Sequence, residues 1–120
     1  MTAKELVLEY YTLDAVRNPR VMDKFIHKDF VLHWYSSKGY LEIDKNDLMA
    51  LAAEMGKSYT SSRIDISHII EEGTQVSVRY THYVTAFENP NEEMVLAHFV
   101  VFWEVKNGQL YRGYLMSQLG

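Results

Sequence analysis

Three runs toward the C-terminal end decide the fold: QVSVRYTHYVTAF at 75–87, MVLAHFVVFWEV at 94–105 and QLYRGYLMS at 109–117. Each is rich in β-branched and aromatic residues, the composition that suits a pleated, half-buried surface. Asn107-Gly108 separates the last two. Both residues tolerate the left-handed backbone that a two-residue type I′ turn demands, so the two runs are expected to fold back on each other. Counting from that turn pairs Val105 with Leu110, Trp103 with Arg112, Val101 with Tyr114 and Phe99 with Met116, all on one face. The opposite face then carries Val100, Phe102, Tyr111 and Leu115. A strand pair that is apolar on both sides is usually covered on both sides.

Working outward, Arg63 to Ile70 and Gln75 to Phe87 alternate and meet at Glu71-Glu72-Gly73, where Gly can take the positive φ that closes a three-residue hairpin loop. That loop predicts Ile64, Ile66 and His68 on the same face as Val76, Val78, Tyr80 and His82, with Asp65 opposite Arg79 as an ion pair on the wet face.

Further upstream the period changes from two to 3.6. Thr2 with Glu5 forms a capping box, and Leu6, Tyr10 and Leu13 follow at helical spacing, widened by Val7 and Val16. Asn18-Pro19 breaks this helix and starts a second, whose buried side is Met22, Phe25 and Ile26. Phe30 to Tyr35 reads as a strand ending at Ser36-Ser37-Lys38-Gly39, with Tyr40 to Ile43 as its return. Asp44 caps a third helix with Asp47 in its first turn; Leu48, Leu51, Ala52 and Met55 form its stripe, and Gly56 is expected to stop it. The expected architecture is α+β: a curved, mostly antiparallel sheet forming a cone, with three helices from the N-terminal half closing its concave face.

Composition narrows the function classes. A chain of 120 residues is expected to form a single domain, 1–120, and 48% apolar with nine Tyr, two Trp and five Phe supplies both a core and aromatic cavity walls. Sixteen acidic against twelve basic residues, with no basic cluster, leave no footprint for nucleic acid. The N-terminal pattern is amphipathic rather than continuously apolar, so neither a signal peptide nor a membrane span is read and a cytoplasmic protein is expected. The absence of Cys removes disulfides and thiolate chemistry. No His-x-His or His-Glu-x-x-His spacing occurs, so neither a metal nor another cofactor is expected.

The order helix, helix, strand, helix, meander resembles the SnoaL-like branch of the nuclear transport factor 2-like superfamily, whose cystatin-like α+β barrel is shared by polyketide cyclases, ketosteroid isomerases and limonene epoxide hydrolases. The likeness rests on Phe25 to Trp34 with Asp29, on Val76-Ser-Val-Arg-Tyr80, and on Val105-Lys-Asn-Gly-Gln-Leu110. It implies a cone pocket for a small apolar, steroid-like or polyketide-like ligand. It also implies that Tyr10 corresponds to the oxyanion donor of the isomerases. Their general-base Asp falls on Trp34, their second Asp on Val101, and the cyclases' catalytic Asp on Ser117-Gln118, so the usual carboxylates are missing.

Among the residues themselves, His82 is the best acid–base candidate, because alternation carries it inward two residues beyond Tyr80 and an imidazole titrates near neutrality. A core histidine satisfied by a tyrosine or a carbonyl would give the same pattern. His68 is expected at the narrow end of the cone, His27 in a solvated connection, and His33 and His98 on the outer face. The expected pocket is Tyr10, Trp34, Tyr80, His82, Phe99, Val101, Tyr114 and Met116, with Arg112 isolated on the inner side. Catalysis by His82 and Tyr10 (isomerase, cyclase or hydrolase) and non-catalytic ligand binding or protein interaction both fit. A homodimer built on the apolar outer face is expected in either case.

Overall fold

The computed structural model describes residues 1–120. Helix α1 (Ala3–Thr12) begins as its capping box requires, with Thr2 Oγ1 accepting from the Glu5 amide at 3.1 Å and Glu5 accepting from the Thr2 amide at 3.0 Å. It stops earlier than its apolar spacing suggests. Leu13 is its C-cap, Asp14 turns into the left-handed region at φ 56°, and a single 3₁₀ turn, Ala15–Arg17, precedes helix α2 (Pro19–Phe25). Asn18 caps α2 by accepting from the Arg20 amide.

Strand β1 (Ile26–Ser36) turns back through β2 (Gly39–Asp44) into helix α3 (Lys45–Ser58), and four long strands follow: β3 (Tyr59–Glu72), β4 (Gln75–Ala86), β5 (Glu93–Lys106) and β6 (Gln109–Leu119). The six strands form one curved sheet in the order β2-β1-β6-β5-β4-β3. All pairs are antiparallel except β1 with β6. The sheet has two edges, β2 and β3, and does not close into a barrel. Helix α3 runs through Gly56 rather than ending there. A Cβ on Gly56 would stand 2.7 Å from the Arg17 carbonyl oxygen, so this glycine serves the close approach of α3 to the 3₁₀ turn.

The three helices pack on the concave face, where Val7, Tyr10, Met22 and Ala52 meet Leu32, Val78, Val101, Trp103 and Leu110 in one buried cluster. Trp103 Nε1 donates to the Tyr11 hydroxyl at 3.1 Å inside this cluster, tying β5 to α1.

Two bulges correct the expected registers. Asn107 and Gly108 do take positive φ, at 53° and 72°, and Val105 does face Leu110. The ladder then shifts by one residue, so that Glu104 faces Arg112, Trp103 faces Gly113, Val101 faces Leu115 and Phe99 faces Ser117. A one-residue bulge exchanges the two faces of a strand beyond it. Arg112, Tyr114 and Met116 therefore point to the convex side and Leu115 to the core. Gly113 permits this, since a Cβ there would lie 2.6 Å from Leu32 Cδ1 and 3.1 Å from Trp103 Cζ3.

In β3 the shift falls between Ile66 and His68. His68 consequently lies on the outer face opposite Arg79, Ile69 takes the inward place opposite Val78, and Asp65 faces Thr81 instead of pairing with Arg79. The turn itself is Gly73-Thr74, since Glu72 pairs with Gln75. His27 is buried rather than solvated: Nδ1 accepts from the Asp29 amide at 3.0 Å and the ring meets Tyr111 edge-on.

Candidate functional site

Between α1, α3 and the concave sheet face lies a cavity of about 260 Å³. Helix α1 delivers Tyr10 to it, and α3 delivers its whole apolar stripe of Leu48, Leu51, Ala52 and Met55. Alternation along β1 contributes Leu32 and Trp34, and along β4 Tyr80 and His82. Between His82 and Tyr83 the β4–β5 ladder shifts, which brings both Leu96 and Ala97 of β5 to the wall beside Phe99. The β6 bulge presents Leu115 and Ser117.

Of the expected pocket residues, Tyr10, Trp34, Tyr80, His82 and Phe99 border this one space. Val101 does not. It is wholly buried in the packing beneath, away from the cavity surface. Tyr114 and Met116 are 47% and 65% exposed on the convex side, which removes both from the pocket for the register reason above. Arg112 likewise lies outside: it donates to the Asp29 carbonyl at 2.7 Å and stacks over Tyr111 at 3.9 Å. The α3 stripe was visible in the sequence as an amphipathic pattern, although nothing local marked it as a wall rather than plain core. Leu115 and Ser117 carried no such signal.

The polar groups of the cavity are few and uncharged. Phe99 stacks on Tyr80 at 5.0 Å and lies tilted against His82 at 6.4 Å, so these three rings make one wall. His82 is 4% exposed, and its Nε2 is sealed with no hydrogen-bond partner. Burial lowers its pKa to about 4, opposed only partly by the negative charge of Asp14. The imidazole is therefore neutral at physiological pH. This corrects the near-neutral titration that the sequence led one to expect of His82. Burial raises the hydroxyls of Tyr10 and Tyr80 well above the ordinary phenol range, so both remain protonated donors. Trp34 Nε1 donates to Ser117 Oγ at 2.8 Å on the rim.

Asp14 sits behind this wall, accepting from Ser62 Oγ at 2.7 Å and from Arg17 Nε at 2.8 Å. Its charge is thus already matched by a guanidinium. The cavity is not lined by any Asp, Glu, Lys or Arg, and no group of three or more His, Asp or Glu converges anywhere as a metal site would require. A second concavity on the outer face, lined by Asp65, Ser67, Arg79, Thr81, His98 and others, is larger, at about 320 Å³. Several of its polar side chains are bound to one another, as in Thr81 with His98 and Arg79 with Ser67. The inner cavity, apolar with a few convergent polar groups, has the composition of a small-molecule site.

Residues 7–113 match the family model described as the SnoaL-like domain. No curated protein matches the chain in sequence. Among solved structures, the fold is similar to that of IdmH from Streptomyces antibioticus, named as a candidate polyketide cyclase. The TM-score is 0.78 at 12% identity, covering 98% of this chain and 92% of that one. A candidate SnoaL-like polyketide cyclase from Shewanella denitrificans gives 0.73 at 14% identity, with 96% and 89% covered. A protein of ketosteroid isomerase-like fold from Catenulispora acidiphila, solved with trimethylamine, gives 0.72 at 10% identity, with 96% and 85% covered. At such identities the likeness concerns the fold. No helix in this chain is long and apolar enough to cross a membrane.

Proposed function

Because the chain belongs to the SnoaL-like domain family, we propose that it binds a small, mostly apolar molecule in the inner cavity, oriented by Tyr10, Tyr80 and His82. The observation that carries this reading is the composition of the wall: sixteen of its eighteen residues are hydrophobic, and the exceptions are His82 and Ser117. Two neutral phenols and a neutral imidazole on an apolar wall can fix the orientation of a carbonyl or hydroxyl without demanding a charge. The family resemblance suggests steroid-like or polyketide-like molecules as the starting class. Neither a cofactor, a nucleic acid nor a membrane enters this reading, and a cytoplasmic site of action is part of it.

The second reading is catalytic, an isomerase, cyclase or hydrolase with His82 as base and Tyr10 as donor to a developing oxyanion. It is favoured by the presence of both groups on one cavity. A base with a pKa of about 4 is weak, and the carboxylates that related chemistry uses are replaced by Trp34 and Ser117. Binding is therefore the reading we put first.

A homodimer completes the proposal. Val100 faces Met116 and Phe102 faces Tyr114 across β5 and β6, and all four are exposed on the convex side. Such a patch is better explained by a second copy than by solvent. Tyr111 is covered by Arg112 and Lys106, and Leu115 points inward, so neither belongs to this surface.

Ligand-induced stabilisation tests the binding reading directly, since a compound that binds only the folded state raises its melting temperature. A panel of small apolar alcohols and ketones should include compounds that do so. His82→Gln and Tyr10→Phe, if folded, should weaken the effect several-fold. A panel that leaves the melting temperature unchanged throughout would count against a binding cavity, and unchanged responses in both variants would remove these residues from it.

A further inference from the structure

The dimensions and electrostatics of the cavity restrict its occupant further, on the premise of the binding function proposed above. An apolar protein cavity of about 150 Å³ accommodates benzene, which sets a ratio of roughly 25 Å³ per non-hydrogen atom. The cavity's 260 Å³ corresponds on that ratio to about ten such atoms, one or two rings rather than four. The space is bounded by rigid elements on several sides. Tyr10 is wedged edge-on against Tyr11, Phe25 and Trp103 at 5.2–5.7 Å. Ala52 is 1% exposed, and Leu32 is 2% exposed. Widening for a larger skeleton would have to displace core side chains that already make close contacts, which packed interiors resist.

Charge acts in the same direction. A carboxylate placed against this wall would leave water without a cation to meet it, and burying an unpaired charge is costly. Arg17, which follows the cavity-lining Val16 in the chain, is engaged with Asp14 and with the Tyr59 carbonyl at 3.2 Å. The negative charge of Asp14 reaches His82 through the wall, which further disfavours an anion beside the imidazole. A neutral oxygen is favoured instead. The Tyr10 hydroxyl, which has no hydrogen bond to another protein group, is a protonated donor for it. The ring nitrogen of His82 left to meet a ligand is Nδ1, since Nε2 is sealed.

We infer that the cavity selects uncharged one- or two-ring molecules of about ten non-hydrogen atoms bearing one hydroxyl or carbonyl oxygen, and rejects both four-ring skeletons and carboxylates. Such selection narrows the steroid-like and polyketide-like class to its small members.

The experiment is a titration followed by thermal shift and by calorimetry, using 2-naphthol, naphthalene, 2-naphthoate and a four-ring ketosteroid with the unaltered protein. The expected order is 2-naphthol tightest, naphthalene several-fold weaker, and 2-naphthoate and the steroid each at least tenfold weaker than 2-naphthol. Tyr10→Phe should abolish the advantage of 2-naphthol over naphthalene. Leu51→Ala, on the exposed side of the α3 stripe, should improve steroid binding relative to 2-naphthol. A steroid that binds the unaltered protein as well as 2-naphthol overturns the size limit and leaves the binding cavity standing. Equal binding of 2-naphthoate and 2-naphthol overturns the charge limit alone. Failure of all four compounds, with the protein folded, overturns the cavity reading and this selection together.

Discussion

Trp34 and Ser117 are joined by a 2.8 Å hydrogen bond from the indole nitrogen to the side-chain hydroxyl, across the one parallel strand pair of the sheet. These are two of the positions, with Val101, where the resemblance to isomerases and cyclases implies carboxylates. Here they hold each other instead, and fasten β1 to β6 at the rim of the cavity. Ser117→Ala removes the acceptor and should cost about 1 kcal/mol of stability in urea unfolding, the usual net value of one such bond. A loss below experimental error would mean that the indole finds another partner.

Trp34→Asp places a carboxylate on the same cavity wall as Tyr10. The folded variant is expected to be less stable by about 3 kcal/mol, because a large partly buried ring is lost. It should gain slow conversion of a small β,γ-unsaturated cyclic ketone to its conjugated isomer. A folded variant with no rate above background would show that Tyr10 and position 34 do not flank a common reacting carbon.

His82 gives stability a pH dependence whose sign follows from its lowered pKa. The unfolded chain takes up this proton near pH 6.5 and the folded chain only near 4. Above 6.5 both forms are neutral and the group contributes no slope. As pH falls from 6.5 toward 4 the unfolded state alone binds the proton, so stability drops by about 3 kcal/mol. Denaturation curves of wild type and His82→Gln, compared over this range, should converge as pH falls. Parallel curves would show that the imidazole titrates normally.

Gly56→Ala improves intrinsic helix propensity by about 1 kcal/mol, yet the added methyl would meet the Arg17 carbonyl oxygen at 2.7 Å. Backbone cannot swing aside as a side-chain tip can. The variant is expected to be destabilised by at least about 1 kcal/mol net, measured by thermal or urea unfolding. A more stable variant would show that the 3₁₀ turn yields freely.

Phe102 is 56% exposed at the centre of the convex apolar strip. Phe102→Glu should convert a dimer to a monomer in sedimentation equilibrium without loss of fold, since the side chain is more than half exposed and lies outside the buried core. Wild-type protein that sediments as a monomer at micromolar concentration would remove the proposed interface.

The amino-acid sequence by itself determined the elements and their order, because the signals for them are local. The Thr2–Glu5 capping box, the Asp44 cap, Asn18-Pro19, and Asn107-Gly108 each act within four residues, through amides and φ angles that neighbours cannot override cheaply. It also brought Tyr10, Trp34, Tyr80, His82 and Phe99 to the concave side, since strict alternation and helical spacing reach that far unaided. The tertiary structure alone decided which way Tyr114, Leu115, Met116 and His68 point. A bulge adds one residue to one strand, and its location depends on distant packing, as where Gly113 lets Leu32 and Trp103 close over the strand. One such residue exchanges every side chain beyond it between core and surface. The neutral state of His82 was equally out of reach of the sequence, because a pKa is set by how much water and how many charges surround a group, and only the assembled wall of Tyr80, Phe99 and His82, with Asp14 behind it, supplies those surroundings.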